Sequence, residues 1–341
     1  MLQVKNQTPF VPGLSVLPDP TGIDTLYIAV KGTFEIGAGG IRIAETQLPL
    51  VPADESRGKP GESSLRHAGE IHALKPATDV VLVGCAYAPG GKPMPQFGAA
   101  FSVGRLRKVV AVFGDRTWKS GIFGLTPSSP VPVTRVPLVW ERAYGGRQDL
   151  GEGRFAAEMR NPVGVGFRGN RSASKMKGTP LPNLEDRSHL IMGVSGHPQP
   201  AGVGFVAPGW QPRASFAGTY DARWMERRAP YFPADFDPRF FLVAPPDQVY
   251  PGYLRGGEPV LIQNAAPVGV QRFALPTCWL EVAARIAGKV ERPALRIETL
   301  LLEPDQGRFS LLWRGAALCD KRALRVEKVE IGLKALQGVK E

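Results

Sequence analysis

Hydrophobic and polar positions alternate near both ends of the chain and lose their period in the middle. Residues 24–36 (DTLYIAVKGTFEI) are β-branched and aromatic with partial alternation, which predicts a strand. GAGG at 37–40 supplies a tight turn, and IRIAE at 41–45 returns as the hairpin partner. From Pro49 to Lys75 the chain turns polar and rich in proline and glycine, which predicts an exposed connection. Asp79 to Ala86 (DVVLVGCA) is a continuous apolar run, the pattern of a strand buried on both faces. A hairpin is predicted over 99–119, turning near Arg105–Lys108. Towards the other end, 258–267 and 268–276 read as two strands around Pro267, and 295–318 as a hairpin turning at Pro304–Gly307. Residues 325–334 form a last strand. Two short helices are predicted, one capped by Thr277 with Leu280, Ala283, Ala284 and Ala287 on one face, the other over 221–228 with Asp221 as N-cap.

These elements predict a mainly β protein. Antiparallel sheets, as a sandwich or open barrel, would carry long ordered loops and one or two short helices. Residues 1–120 read as an N-terminal β unit. Residues 121–341 read as a motif-rich loop region followed by a C-terminal β unit, packed with the first as one domain or standing as a second.

The aperiodic middle, 137–276, is dense in Trp, Tyr, Arg, Asp, Gly and Pro. Prolines fix φ, glycines reach positive φ, and the abundance of aromatics argues against disorder. This composition predicts an ordered, irregular recognition surface. Its succession W-E-R-A-Y-G-G (140–146), N-P-V-G-V-G-F (161–167), L-P-N-L-E (181–185), W-Q-P-R (210–213), G-T-Y-D-A-R-W (218–224), D-F-D-P-R-F (235–240) and A-P-P-D-Q (244–248) resembles the DUF2169 family over roughly residues 10–315. The resemblance implies an adaptor or chaperone of type VI secretion. Its partners would be a secreted effector and spike proteins of the VgrG/PAAR type. It implies no active site.

Composition narrows the alternatives. Glycine (40) and proline (33) make up about a fifth of the 341 residues, favouring turn-rich β structure over helix bundles. The net charge of +11 is scattered rather than gathered on a stripe with stacking aromatics, so no nucleic acid is expected as a partner. Cys85, Cys278 and Cys319 are odd in number and far apart, which predicts no disulfide framework and a cytoplasmic location. No apolar run reaches the eighteen residues a membrane helix needs, and the N-terminal residues lack a signal-peptide pattern.

The candidate partner surface comprises Trp140, Glu141, Arg142, Tyr144, Trp210, Arg213, Tyr220 and Trp224, with Asp235, Asp237 and Asp247 beside them. Trp, Tyr and Arg dominate interface hot spots, yet the same residues can equally form a core in which Arg–carboxylate pairs lock loops together. Glu141 with Arg142 and Asp237 with Arg239 are the candidate buried pairs. The competing class is a carbohydrate-active hydrolase using Asp235, Asp237 or Asp247 as acid and base. A structural component of the spike is a third. No metal or cofactor is expected: His67 and His72 stand five apart rather than four, and His189 and His197 lack neighbouring ligands. Gly164, Gly166 and Gly169 spell G-x-G-x-x-G without a flanking strand and helix, and read as a turn.

Overall fold

The computed structural model describes residues 3–340. It is mainly β, dominated by antiparallel pairing, with few helices and no closed barrel. The largest sheet has seven strands. Along it run Val249–Tyr250, Thr78–Leu82, Arg296–Glu303, Arg308–Leu318, Asp24–Gly37 and Val11–Pro18, with Gly40–Ile43 also paired to Asp24–Gly37. A five-stranded sheet runs Leu184–Asp186, Leu106–Phe113, Gln96–Val103, Pro259–Gln263 and Val270–Ala274. A four-stranded sheet runs Gln3–Gln7, Val326–Gln337, Thr277–Ile286 and Lys289–Glu291. Each sheet takes strands from both sides of residue 120.

One apolar core is shared by the three sheets. Val30, Phe34, Leu300 and Phe309 meet Phe101, Val112 and Ile262 of the second sheet and Val282, Ile286 and Val329 of the third. Phe309 stacks between Phe34 and Phe273, each with ring centroids 5.2 Å away. Two adjacent strands of the large sheet, Thr78–Leu82 and Arg296–Glu303, bury both faces. Val80, Leu82, Leu300 and Leu302 point into the main core, while Val81 and Leu301 point the other way, into a second cluster with Leu65, Phe205, Val243 and Ala244. The apolar run at 79–86 needs no alternation because irregular chain roofs its second face.

Beneath that roof lies a buried ionic network. Lys75 Nζ donates to Asp79 Oδ2 at 2.8 Å and to Thr299 Oγ1 at 2.9 Å, and Arg314 Nε donates to Glu298 Oε2 at 2.7 Å. Asp79 also accepts the backbone N–H groups of Val243 (2.9 Å) and Ala244 (3.1 Å), which ties the roof to the sheet.

Two expectations change. Thr277–Ile286 is a strand, not a helix, paired with Val326–Gln337. Val282, Ala284 and Ile286 are buried in alternation with exposed Glu281 and Arg285, a period of two that the alanines had masked. Pairing with a long neighbouring strand outweighs the modest helix preference of alanine. The connection 49–75 is only partly exposed: Ser64, Leu65, Ala68, Ala73 and Lys75 are buried as part of the roof. The helix Ala222–Arg227 forms where expected, and the Asp221 carboxylate accepts Trp224 N–H.

Candidate functional site

The motif-rich middle folds as loops stitched by side chains to backbone. Asn161 is fully buried and donates through Nδ2 to the carbonyls of Trp140 (2.8 Å) and Tyr144 (2.9 Å), closing the 140–146 turn onto the 161–166 turn. Gly145 has φ +151, and a Cβ there would lie 2.1 Å from the Asn161 carbonyl oxygen, so only glycine fits. Arg213 donates to the carbonyls of Phe240 and Val206, both at 2.8 Å. Gln248 Nε2 bridges the carbonyls of Val80 and Val203, both at 2.9 Å, and so seats the 244–248 turn on the large sheet.

These stitches leave an open cleft of about 1050 Å³. Trp140 of the first motif, Gln211 and Pro212 of the fourth and Pro245–Asp247 of the last all line it. The facing wall is Arg107–Val109, at one end of the Leu106–Phe113 strand, and Asp186–Ser188. Pro200 and Ala201 complete the apolar side. Lys108 is spent on Asp247, 2.5 Å away, and Arg160 on Glu158 at 2.6 Å. Arg107 and Arg187 are exposed at the rim, and neither forms an ion pair among the described residues.

A family model described as an uncharacterized protein conserved in bacteria (DUF2169) matches residues 21–314. The chain belongs to the DUF2169 family. No curated protein and no solved structure matches it.

The motif residues of this DUF2169 chain divide into interior and surface. Trp140, Tyr144 and Trp210 are buried, at 4%, 4% and 7% exposure, and so take the core option rather than a free surface. Trp140 and Trp210 meet edge to face at 5.6 Å, and Tyr144 packs with Trp118, Met176 and Leu181. Burial raises the Tyr144 phenol above its ordinary pKa. Glu141 and Arg142 are not a pair. Glu141 instead accepts from Ser64 N (2.7 Å) and Oγ (2.9 Å), while Arg142 reaches Asn183 at 3.0 Å and Asp115 at 3.4 Å. The short helical turn at 140–142 points the two side chains to different neighbours. Tyr220 stays exposed, edge to face with half-buried Trp224 at 4.7 Å, and exposed Met225 follows Trp224 on the helix.

The carboxylates do not converge. Asp235 accepts from Thr219 N (2.9 Å) and Oγ1 (2.8 Å), Asp237 takes Arg239 Nε at 2.8 Å, and Asp247 takes Lys108. Asp237 and Arg239 do pair, but at the surface rather than buried. The Thr219 backbone and hydroxyl hold the Asp235 carboxyl below the usual carboxylate range, and the Arg239 guanidinium does the same for Asp237. A glycosidase acid needs the opposite shift. Among the described residues there is no cluster of three or more His, Cys, Asp or Glu suited to a metal, and no helix long and apolar enough to cross a membrane.

Arg160 and Arg187 carry no sequence pattern that marks them as cleft residues, and Arg107 belongs to the scattered positive charge of the chain. Nothing local to them signals a site; only the fold brings them opposite the proline-rich wall.

Proposed function

We propose that this chain is a cytoplasmic adaptor that binds a type VI secretion effector and helps load it onto the spike. The observation that carries the reading is the convergence of Trp140, Gln211, Pro212 and Pro245–Asp247, from motifs far apart in sequence, on one open cleft. Long ordered loops fixed on a rigid sheet are where recognition is ordinarily built. The cleft offers an apolar wall and a cationic rim, the surface a partner's segment needs rather than an assembled acid–base pair. Exposed Tyr220 and Met225, with Trp224, extend the available apolar surface outside it.

Affinity capture from cells expressing the neighbouring secretion genes, read by mass spectrometry, tests this. Near-stoichiometric recovery of one effector with its spike protein is expected, and the adaptor should stay in the cell when the effector leaves. Recovery of no effector, or export of the chain itself, would refute the reading.

A further inference from the structure

The cleft contains an interrupted sheet edge. Leu106–Phe113 pairs along its whole length with Gln96–Val103, but on its other side Leu184–Asp186 covers only Val110–Val112. Phe113 N donates to Asn183 O at 2.8 Å, so alternate residues from Phe113 back through Ala111, Val109 and Arg107 turn their backbone groups to that side. Beyond the Val110–Asp186 pair the ladder ends. The chain turns away at Asp186, whose Oδ1 accepts Ser188 N at 2.8 Å and whose carbonyl accepts His189 N at 3.0 Å. The outward N–H of Val109 and both outward groups of Arg107 have no hydrogen-bond partner among the described residues, at the point where both residues line the cleft, while the Val109 C=O faces the Arg187 N–H that the Val110–Asp186 pairing sets opposite it.

We propose that this edge is completed by β-strand addition, by an extended acidic segment of the partner protein lying along residues 106–109. The proposal rests on the reading of the cleft as a partner site. Unpaired strand edges bind extended peptides through the main chain, and side chains on alternate positions supply selectivity. Here selectivity comes from charge. Arg107 and Arg187 flank the edge without carboxylate partners, and the chain as a whole carries a net charge of +11. Glutamate or aspartate on alternate residues of the segment would give each guanidinium a charge-assisted hydrogen bond. A second copy of this edge is a poor occupant, because it would bring a second Arg107 and Arg187 to the same short edge without a carboxylate to meet them. Across the cleft, Pro200, Pro212, Pro245 and Pro246 have no N–H to compete for the segment's carbonyls and offer it an apolar wall.

The probe is a fluorescein-labelled octapeptide alternating valine and glutamate, with a valine–lysine octapeptide as its control, followed by anisotropy. The acidic peptide should bind and protect the Arg107 and Val109 amides from exchange, and the basic one should not. Val109→Pro removes an outward N–H that no internal bond uses, a change edge strands accept, and should weaken binding at least about tenfold. The exposed double variant Arg107→Glu/Arg187→Glu should invert the charge preference, and it serves if Val109→Pro fails to fold by its melting curve. No binding of the acidic peptide, equal binding of both peptides, or an unchanged preference in the double variant would overturn the proposal. Effector capture undiminished in these variants would sink strand addition while leaving the adaptor reading intact. Tight binding of the acidic peptide with no effector captured would sink the adaptor reading alone.

Discussion

Trp140→Ala separates a core tryptophan from an interface one, and the structure sets the size of the effect. The side chain is 4% exposed, packed on Trp210, Val206 and Val163. A buried tryptophan removes on the order of 200 Å² from water, worth ~5 kcal/mol at about 25 cal/mol per Å². Its Nε1 is sealed from solvent without a partner, which offsets about 1–2 kcal/mol of that gain. The net loss on truncation is therefore about 3–4 kcal/mol, within the range for large-to-small core changes. For a chain of this length that lowers the melting temperature by about 4–6 °C. Urea unfolding should show a lower midpoint at unchanged slope. The companion change is Gly202→Ala, whose Cβ would fall 2.5 Å from three atoms of the Trp140 ring. The ring would have to move by about 1 Å, at a cost of about 1–3 kcal/mol. In the Trp140→Ala background the same alanine has room and should cost under about 0.5 kcal/mol, so the two changes must be non-additive. Loss of partner binding with stability unchanged, or simple additivity of the pair, would refute the core assignment.

Two further outcomes follow from the buried groups under the roof. Lys75→Met leaves Asp79 buried at 0% exposure with backbone donors but no cation, and should destabilise by about 3–5 kcal/mol in chemical unfolding; a loss below about 1 kcal/mol would mean the pair is not closed from water. His72 donates Nδ1–H to the Ala73 carbonyl at 2.6 Å and has Nε2 sealed without a partner, although part of the residue reaches the surface. Burial first, then the positive charges of Arg314 and Lys75, press its pKa well below the usual histidine value. The unfolded chain takes up this proton near pH 6.5 and the folded chain does not, so the contribution is complete above about pH 6.5. It is lost at about 1.4 kcal/mol per pH unit as the pH falls towards the folded value. Unfolding free energies from urea titrations of the wild type and His72→Gln should run parallel above about pH 6.5 and diverge by this slope below it; parallel curves down to pH ~5.5 would show that the ring titrates normally.

Local pattern was enough for the strands whose periodicity is their own. Asp24–Gly37, Leu106–Phe113 and the hairpin of Arg296–Glu303 with Arg308–Leu318 lie where alternation and turn residues place them. The N-cap at Asp221 was legible too, because a cap is a contact between residues three apart. Thr277–Ile286 was not, since its alanines fit a helix until a long partner strand supplies the ladder. The seven ordered motifs, carried by the sequence alone, were enough to identify the family. Whether their aromatics face in or out was a tertiary decision. Trp140 and Tyr144 are interior because Asn161 folds one turn over another, whereas Tyr220, just before the short helix, and Met225, on it, stay exposed. The open edge at 106–109 is tertiary in the same sense. It exists because a strand from residues 184–186 stops short, and no residue within the edge records where its neighbour ends.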